Sequence, residues 1–352
     1  MKKERLVNRS ICSIFVSLLI LTSGSTVAQA KSIQLTYSNF FPPSQIQSVL
    51  AEAWCKEVEK RTNGEVRIAY YPGQTLTDAT QTYDGVLKGL SDIGFSILQY
   101  TRGRFPLMDF INLPLGFPNG PVATAIINEV YDKYKPNELS DVKVMYLHAH
   151  GPGVIHTKNK PLHTMADIKG MKFRSHGPTA EMIKALGGTP MALPMPELYQ
   201  ALQKGVIQGG VWDFSASYDW KLAEVIDYST ACYSIGYSLG FFVVMNKDKW
   251  NSISPESQRK IEEINQEWII KHGKAWKEAD INGINFSFDQ GNTINGLEPK
   301  EAKNWRKAVQ PVVDIYLKST ESKNLPGKDV VEFVEEMLEQ EKKGKFKSKH
   351  LK

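Results

Sequence analysis

The stretch 171–212, MKFRSHGPTAEMIKALGGTPMALPMPELYQALQKGVIQGGVW, decides the fold of this chain. Three short apolar runs alternate there with two segments whose apolar residues recur at helical spacing. Thr179 can cap the first segment and Gly187-Gly188 closes it. Pro194 and Pro196 open the second segment at its tolerant first turn. The pattern predicts three strands alternating with two amphipathic helices.

A single arginine, Arg174, ends the first predicted strand of this stretch. In open α/β sheets, anions are commonly held beyond the carboxyl ends of the strands. Arg174 is therefore a candidate binding residue. A structural salt bridge between helices is the alternative interpretation for an arginine at this place.

The stretch 32–98 has the same alternation. Period-two apolar runs begin at Ile33, Val66 and Asp92, with helical patterns between them. Parallel strands need crossover connections, so this order predicts a parallel sheet with helices on its faces. The segment after Pro255 is predicted to be mostly helical, with helices over 255–282, 299–318 and 328–342.

Two α/β halves followed by long helices predict a two-lobed α/β protein with a cleft between the lobes. A chain of 352 residues also favours two domains over one. Extended segments around Thr157 and Phe241 are predicted to pass between the lobes. The predicted boundaries assign 31–153 and 242–283 to the first lobe, and 154–241 and 284–352 to the second.

Residues 1–30 have the three parts of a secretory signal peptide: a basic start, an apolar run over 11–21, and Ala28-Gln29-Ala30 as a cleavage site. The apolar run is far shorter than the roughly 20 residues of a spanning helix, although an uncleaved anchor is the alternative. We therefore expect a periplasmic protein cleaved near Ala30. Export permits a disulfide between Cys55 and Cys232, and two buried thiols are the alternative.

Catalytic and nucleic-acid signatures are missing from the sequence. The net charge of +5 includes +3 within residues 1–30, so the remainder does not have the basic balance of a nucleic-acid-binding protein. No serine elbow, phosphate loop or zinc-binding histidine pair is present. His148, His150 and His156 are spaced for a metal, but side chains at a strand end beside the cleft are the favoured interpretation. We expect no enzyme activity, no metal and no cofactor.

Four blocks of the sequence resemble the periplasmic solute-binding proteins of tripartite ATP-independent periplasmic (TRAP) transporters, the DctP type. In chain order they are WCKEVEKRTNG (54–64) with YPGQTL (71–76), DIKGMKFR (167–174), ALGGTP (185–190) with ELYQALQKGVIQG (197–209), and VVMNKDKW (243–250). The resemblance implies a type II-like periplasmic binding protein in which a long helix spans both lobes. It also implies that closure of the lobes traps a carboxylated solute.

Arg174 matches the family arginine that pairs with the solute carboxylate, and a guanidinium fork suits a carboxylate because it donates two parallel hydrogen bonds. Trp212 falls where the family places a side chain, often Asn, over the bound acid. A tryptophan at this position offers a stacking face and one N–H donor. Burial of Trp212 in the lobe core is the alternative.

One departure from the family concerns a second arginine, which many sialate- and dicarboxylate-binding members carry on the strand entering the second lobe. Val154 stands at that position, with His148, His150 and His156 nearby. The resemblance therefore points away from dicarboxylates, towards a monocarboxylate with an apolar or aromatic body. The aromatic residues that could line the cleft, unless they belong to the core, are Phe40, Phe41, Tyr100, Phe105, Trp212 and Tyr237.

The partner implied by the resemblance is a TRAP membrane permease, which would receive the solute from a monomeric binding protein. Delivery to an ABC importer or to a sensor is the first alternative. An exported hydrolase or isomerase on the same scaffold is the second.

Overall fold

The computed structural model describes residues 32–351, so the predicted signal peptide lies outside the described residues. The strands are Ile33–Asn39 (β1), Val66–Tyr71 (β2), Ile93–Ile97 (β3), Val142–Ala149 (β4), Val154–Thr157 (β5), Lys172–Arg174 (β6), Thr189–Met191 (β7), Gly209–Trp212 (β8), Tyr228–Ala231 (β9), Gly240–Asn246 (β10) and Thr293–Gly296 (β11). The helices are Ile46–Arg61 (α1), Thr82–Leu87 (α2), Gly120–Tyr134 (α3), Met165–Ile168 (α4), Pro178–Ala185 (α5), Met195–Gln203 (α6), Phe214–Asp219 (α7), Lys247–Asn251 (α8), Pro255–Asp289 (α9), Pro299–Glu321 (α10) and Gly327–Lys342 (α11).

The first lobe is built on a five-stranded sheet of order β2-β1-β3-β10-β4. β1 runs parallel to β2 and β3, as the alternation over 32–98 predicts. β10 returns from the second half of the chain and pairs antiparallel with β3 and β4. Every residue of β3 is buried, which suits a central strand covered on both faces.

The second lobe is built on a six-stranded sheet of order β11-β9-β5-β8-β6-β7. β6 runs parallel to both β7 and β8, so the predicted strand–helix alternation of 171–212 is confirmed. Helix α5 differs in its cap: it begins at Pro178 and Gly177 precedes it with a φ of 55°. Thr179, predicted as the cap, instead donates a hydrogen bond from Oγ1 to the carbonyl of His176 (2.7 Å).

Helix α9 connects the two lobes, because it packs against α1 and α3 of the first and against α7 of the second. It begins with a Ser254 cap and Pro255 in the first turn, and its 35 residues span about 52 Å. The two-lobed α/β fold with a long spanning helix is thus confirmed. The predicted end at Asn282 is wrong by seven residues. Gly283 looks like a helix stop, but its missing side chain admits α7: a Cβ there would lie 1.8 Å from the carbonyl oxygen of Phe214.

The two C-terminal helices pack on different lobes. Helix α10 contacts α5, whereas α11 contacts α3 of the first lobe. The hydroxyl of Tyr316 on α10 also donates to the carbonyl of Leu107 in the first lobe (2.8 Å). The assignment of 284–352 to the second lobe therefore stays a prediction.

Both remaining cysteines, Cys55 and Cys232, are buried free thiols and form no disulfide. Burial raises the pKa of the Cys55 thiol and raises that of Cys232 to about 12, so neither is a ready nucleophile. Within residues 32–351 we find no helix of the length and apolarity that crossing a bilayer requires.

Candidate functional site

Arg174 lies fully buried at the carboxyl end of β6, facing the first lobe. Its Nε donates to the carbonyl of Leu193 (3.0 Å) and its Nη1 to the carbonyl of Val211 (3.3 Å). Its Nη2 donates to the hydroxyl of Tyr100 (3.4 Å). A guanidinium carries five N–H groups, so one N–H on each terminal nitrogen is left by these three bonds. No carboxylate among residues 32–351 bonds to this guanidinium, whose three partners are two carbonyls and a phenol.

Tyr100 joins the two lobes across the cleft. It follows β3 in the first lobe, and its hydroxyl accepts from Arg174 and from the backbone N–H of Met195 (2.8 Å), both in the second lobe. A further bridge lies at the start of α1, where Gln45 Nε2 donates to Asp219 Oδ2 (2.8 Å). Both connections depend on the lobes being close together.

Trp212, at the end of β8, is fully buried. One face of its indole stacks on His156 with ring centroids 4.2 Å apart and planes 5° apart. Its Nε1 donates to Ser217 Oγ (3.2 Å). Gly210 makes room for this ring, since a Cβ there would lie 2.6 Å from the indole and 3.1 Å from Cβ of Arg174. Gly210 of β8 therefore lets Trp212 and Arg174 lie side by side.

A small cavity of about 20 Å³ lies between the lobes next to Trp212, with room for roughly one water. Six aromatic rings form the largest part of its wall: Phe40, Phe41, Trp212, Trp220, Phe241 and Trp276. Polar side chains from both lobes also line it, namely Gln45, His150, Asp213, Ser215 and Asp219, together with the apolar residues Ile97, Met195, Ala216 and Leu239. We call this the aromatic cavity. Rings from four separate chain segments meet in it.

Burial shifts the pKa of the ionisable groups around the aromatic cavity. It raises the pKa of Asp219 to about 7, against the hydrogen bond from Gln45. It also raises the pKa of Asp280, which lies behind the cavity wall, and the neighbouring charge of Asp213 adds to that effect. Burial lowers the pKa of His150, so its imidazole is held neutral.

A second, larger cavity of about 430 Å³ lies on the other side of Tyr100. Ser175 and His176 of the second lobe face Gln99 and Arg102 of the first across it. The ring of Tyr100 packs edge-on against His176 on this side (5.6 Å) and against Phe40 on the aromatic side (6.0 Å). Tyr100 therefore separates the two cavities.

The residues predicted to bind the solute lie close together, and all except Tyr237 lie at the aromatic cavity or at Arg174. Phe41, His150 and Trp212 line the aromatic cavity. Tyr100 contacts Arg174 directly. Tyr237 is buried and packs edge-on against His150 (5.8 Å), but it lines neither cavity, and its hydroxyl has no partner among the described residues. Their role in binding stays a prediction.

The three histidines with metal-like spacing serve different parts of the core. His148 stacks on His272 (4.3 Å) and accepts a hydrogen bond from Trp276 Nε1 (2.9 Å). His156 packs under Trp212, and only His150 reaches the aromatic cavity. Within residues 32–351, no three His, Cys, Asp or Glu side chains converge as a metal site would require.

No binding role is predicted from the sequence for Trp276 or for Asp219, although both line the aromatic cavity. Trp276 lies on α9, and the spacing of Trp268, His272 and Trp276 places all three on one helix face. That aromatic stripe was the available signal. Asp219 had no such signal, because its partner Gln45 lies 174 residues earlier in the chain.

Comparison with known proteins gives one family. Residues 37–320 match the DctP family, described as bacterial extracellular solute-binding protein, family 7. A curated relative is the C4-dicarboxylate-binding periplasmic protein DctP of Rhodobacter capsulatus. It is 26% identical over 318 residues, which cover 88% of this chain and 94% of that protein.

Two solved structures are similar throughout. One is a TRAP periplasmic solute-binding protein from Desulfovibrio salexigens DSM2638, an open complex, at 32% identity and a TM-score of 0.77, covering 87% of this chain and 95% of that one. The other is a marine metagenome TRAP solute-binding protein specific for aromatic acid ligands, in complex with metahydroxyphenylacetate. It shows 28% identity and a TM-score of 0.82, covering 87% of this chain and 98% of that one.

Proposed function

The chain belongs to the DctP family of bacterial extracellular solute-binding proteins, and we propose that it captures a monocarboxylate with an apolar or aromatic body. Members of this family are solute-binding proteins and not enzymes. In this proposal Arg174 pairs with the carboxylate, and the protein delivers the acid to a TRAP-type membrane permease.

The observation that carries the proposal is the bonding of Arg174. Its bonds to Leu193, Val211 and Tyr100 hold the guanidinium rigidly and leave one N–H on each terminal nitrogen. A bidentate carboxylate needs two such donors. The charge is buried and has no carboxylate partner in the part of the chain that the structure describes, and an anionic ligand would supply one.

The aromatic rings of the cavity wall favour an apolar or aromatic body for the acid, and Trp212 borders Arg174 across Gly210. The lobes must part to admit such a body, since the cavity has room for roughly one water in this structure. A second fixed positive charge is not supplied from β5, where Val154 is buried and pairs with Trp212. The similarity to a binding protein specific for aromatic acids agrees with this substrate class.

Closure of the lobes would trap the bound solute. Tyr100 bonds to Arg174 and Met195 only when the lobes meet, so a ligand that bridges the lobes favours the closed form. A ligand shifts this equilibrium only by its difference in affinity for the two forms. The permease would then select the closed, loaded protein.

The rest of the proposal concerns the cell. The protein works in the periplasm as a monomer, after cleavage of its signal peptide near Ala30. A TRAP-type permease gene beside its own would agree with this partner, whereas an ABC importer gene there would contradict it.

The decisive experiment has two parts. Mass spectrometry of the acid that co-purifies with the native protein identifies the solute. Calorimetric titration with benzoate, phenylacetate and succinate then ranks the acids, and we expect the two aromatic monocarboxylates to bind more tightly. Preferential binding of succinate would overturn the monocarboxylate assignment.

A further inference from the structure

His150 places an unsatisfied hydrogen-bond acceptor in the wall of the aromatic cavity. The side chain is only 1% exposed, and its Nδ1 lies within hydrogen-bonding distance of the carbonyl of Gly151. A carbonyl only accepts, so Nδ1 must carry the proton, and Nε2 of the neutral ring is then an acceptor. Nε2 has no hydrogen-bond partner among the described residues. A buried acceptor of this kind is costly unless something donates to it.

Two carboxylates line the same cavity. Asp213 is 4% exposed and accepts a hydrogen bond from Ser215 Oγ at one oxygen, Oδ2. Asp219 is half-buried and accepts from Gln45 Nε2, also at Oδ2. The Gln45 bond leaves Oδ1 of Asp219 for another donor, whereas Asp213 also lies within hydrogen-bonding reach of the Asp280 carboxyl, whose pKa is raised by burial. Asp213 and Asp219 lie at the two ends of α7, so one short helix presents both.

Most side-chain donors around the cavity are already engaged. The indole N–H of Trp212 donates to Ser217, and that of Trp276 donates to His148. Ser215 and Gln45 donate to the aspartates themselves. The cavity therefore offers mainly acceptors, so a bound ligand must supply hydrogen-bond donors.

We propose that the captured acid carries a hydrogen-bond-donating group, a hydroxyl or a protonated amine, at the end of its body away from the carboxylate. Asp213, Asp219 and His150 receive that group. This inference rests on the proposed function and adds a second point of recognition to it. A second carboxylate at this end would be repelled by Asp213 and, above its pKa of about 7, by Asp219, so the same residues select against diacids.

The test is calorimetric titration of the full mature chain with three acids that differ only in one substituent: phenylacetate, 3-hydroxyphenylacetate and 3-(aminomethyl)phenylacetate. We expect at least one substituted acid to bind at least tenfold more tightly than phenylacetate. Asp219→Asn should reduce that advantage at least threefold while leaving the affinity for phenylacetate within a factor of two.

The control variant is Glu181→Gln, which alters an acid in the wall of the larger cavity and should leave all three affinities unchanged. Thermal unfolding of Asp219→Asn checks that the variant folds, and Asp213→Asn provides a second variant at the same end. Equal binding of the three acids, or an advantage that both Asn variants retain in full, overturns the inference while the proposed function stands. Failure of all three acids to bind overturns the proposed function and the inference with it.

Discussion

The two ends of the cleft are built in different ways. The arginine end is set by backbone, because two carbonyls of one lobe and a single phenol of the other hold Arg174. The aspartate end is assembled from side chains of α7, the start of α1 and the segment after β4. Every organic acid has a carboxylate, so a rigid arginine recognises the class. The difference teaches that discrimination among acids must come from the other end.

Arg174→Ala breaks the arginine end and should have the largest effect. We expect binding to weaken by about 3–5 kcal/mol, because the variant leaves the ligand carboxylate buried without its partner. Arg174→Lys should recover only part of this, since an ammonium lacks the planar fork. Calorimetry measures both.

Arg102→Ala is the matched control for Arg174, because it removes an exposed arginine from the wall of the larger cavity. It should leave the affinity unchanged. An unaltered affinity in a folded Arg174→Ala variant would remove this residue from the site.

Gly283→Ala should disturb the aspartate end while sparing the arginine end. The added Cβ would lie 1.8 Å from the carbonyl oxygen of Phe214, so α7 must move away from α9. Overpacking of this kind costs about 1–3 kcal/mol of unfolding free energy. Urea unfolding measures it, with Gly296→Ala as control because no atom lies within 4 Å of its added Cβ. Unchanged stability would show that α7 yields freely.

Tyr100→Phe separates the two ends by removing the hydroxyl that bridges the lobes. The Met195 N–H and one Arg174 N–H lose their acceptor, and we expect ligand affinity to fall by about 1 kcal/mol. Tyr134→Phe removes a hydroxyl bond to the Asp329 carbonyl outside the cleft and should not change binding. Equal effects of the two variants would mean that Tyr100 does not report on closure.

The pH dependence of stability tests the aspartate end without any ligand. The pKa of Asp219 is raised from 3.8 to about 7, so in that window the folded chain holds a proton that the unfolded chain has lost. Stability from this group therefore falls as pH rises from about 4 to 7. Asp219→Asn should flatten the fall, as measured by unfolding at a series of pH values.

Glu138 provides the comparison, because burial raises its pKa to about 7 although it lines neither cavity. Glu138→Gln should flatten the same pH dependence without changing ligand affinity, whereas Asp219→Asn should change both. A steeper fall in either variant would contradict the sign of these shifts.

Much of the fold was predictable because it depends on local signals. The alternation over 171–212 predicts β6 to β8 correctly, since apolar period and Gly or Pro punctuation act within a few residues. The end of α9 was not predictable in this way. A glycine at position 283 is a local signal for a helix end, but α9 continues through it. The missing side chain leaves the space in which α7 packs against α9.

The candidate site shows the same contrast between local signals and long-range packing. Arg174 stood out in the sequence because it ends a strand of a parallel arrangement, where a position along the chain implies a position at the sheet edge. Asp219, Trp220 and Trp276 did not stand out. Phe40 and Phe41, which share the cavity wall with them, lie 120 or more residues earlier in the chain. No periodic pattern encodes a contact over such a separation.

By itself, the sequence determined the alternation of strands and helices, the place of Arg174 at a strand end and the family to which the chain belongs. These follow from short-range periodicity and from motifs that stay contiguous. Only the tertiary structure decided that Arg174 has no acidic partner among the described residues, and that an aromatic cavity lined by two aspartates and a histidine lies beside it. The physical reason is that burial and charge pairing depend on which distant segments pack together.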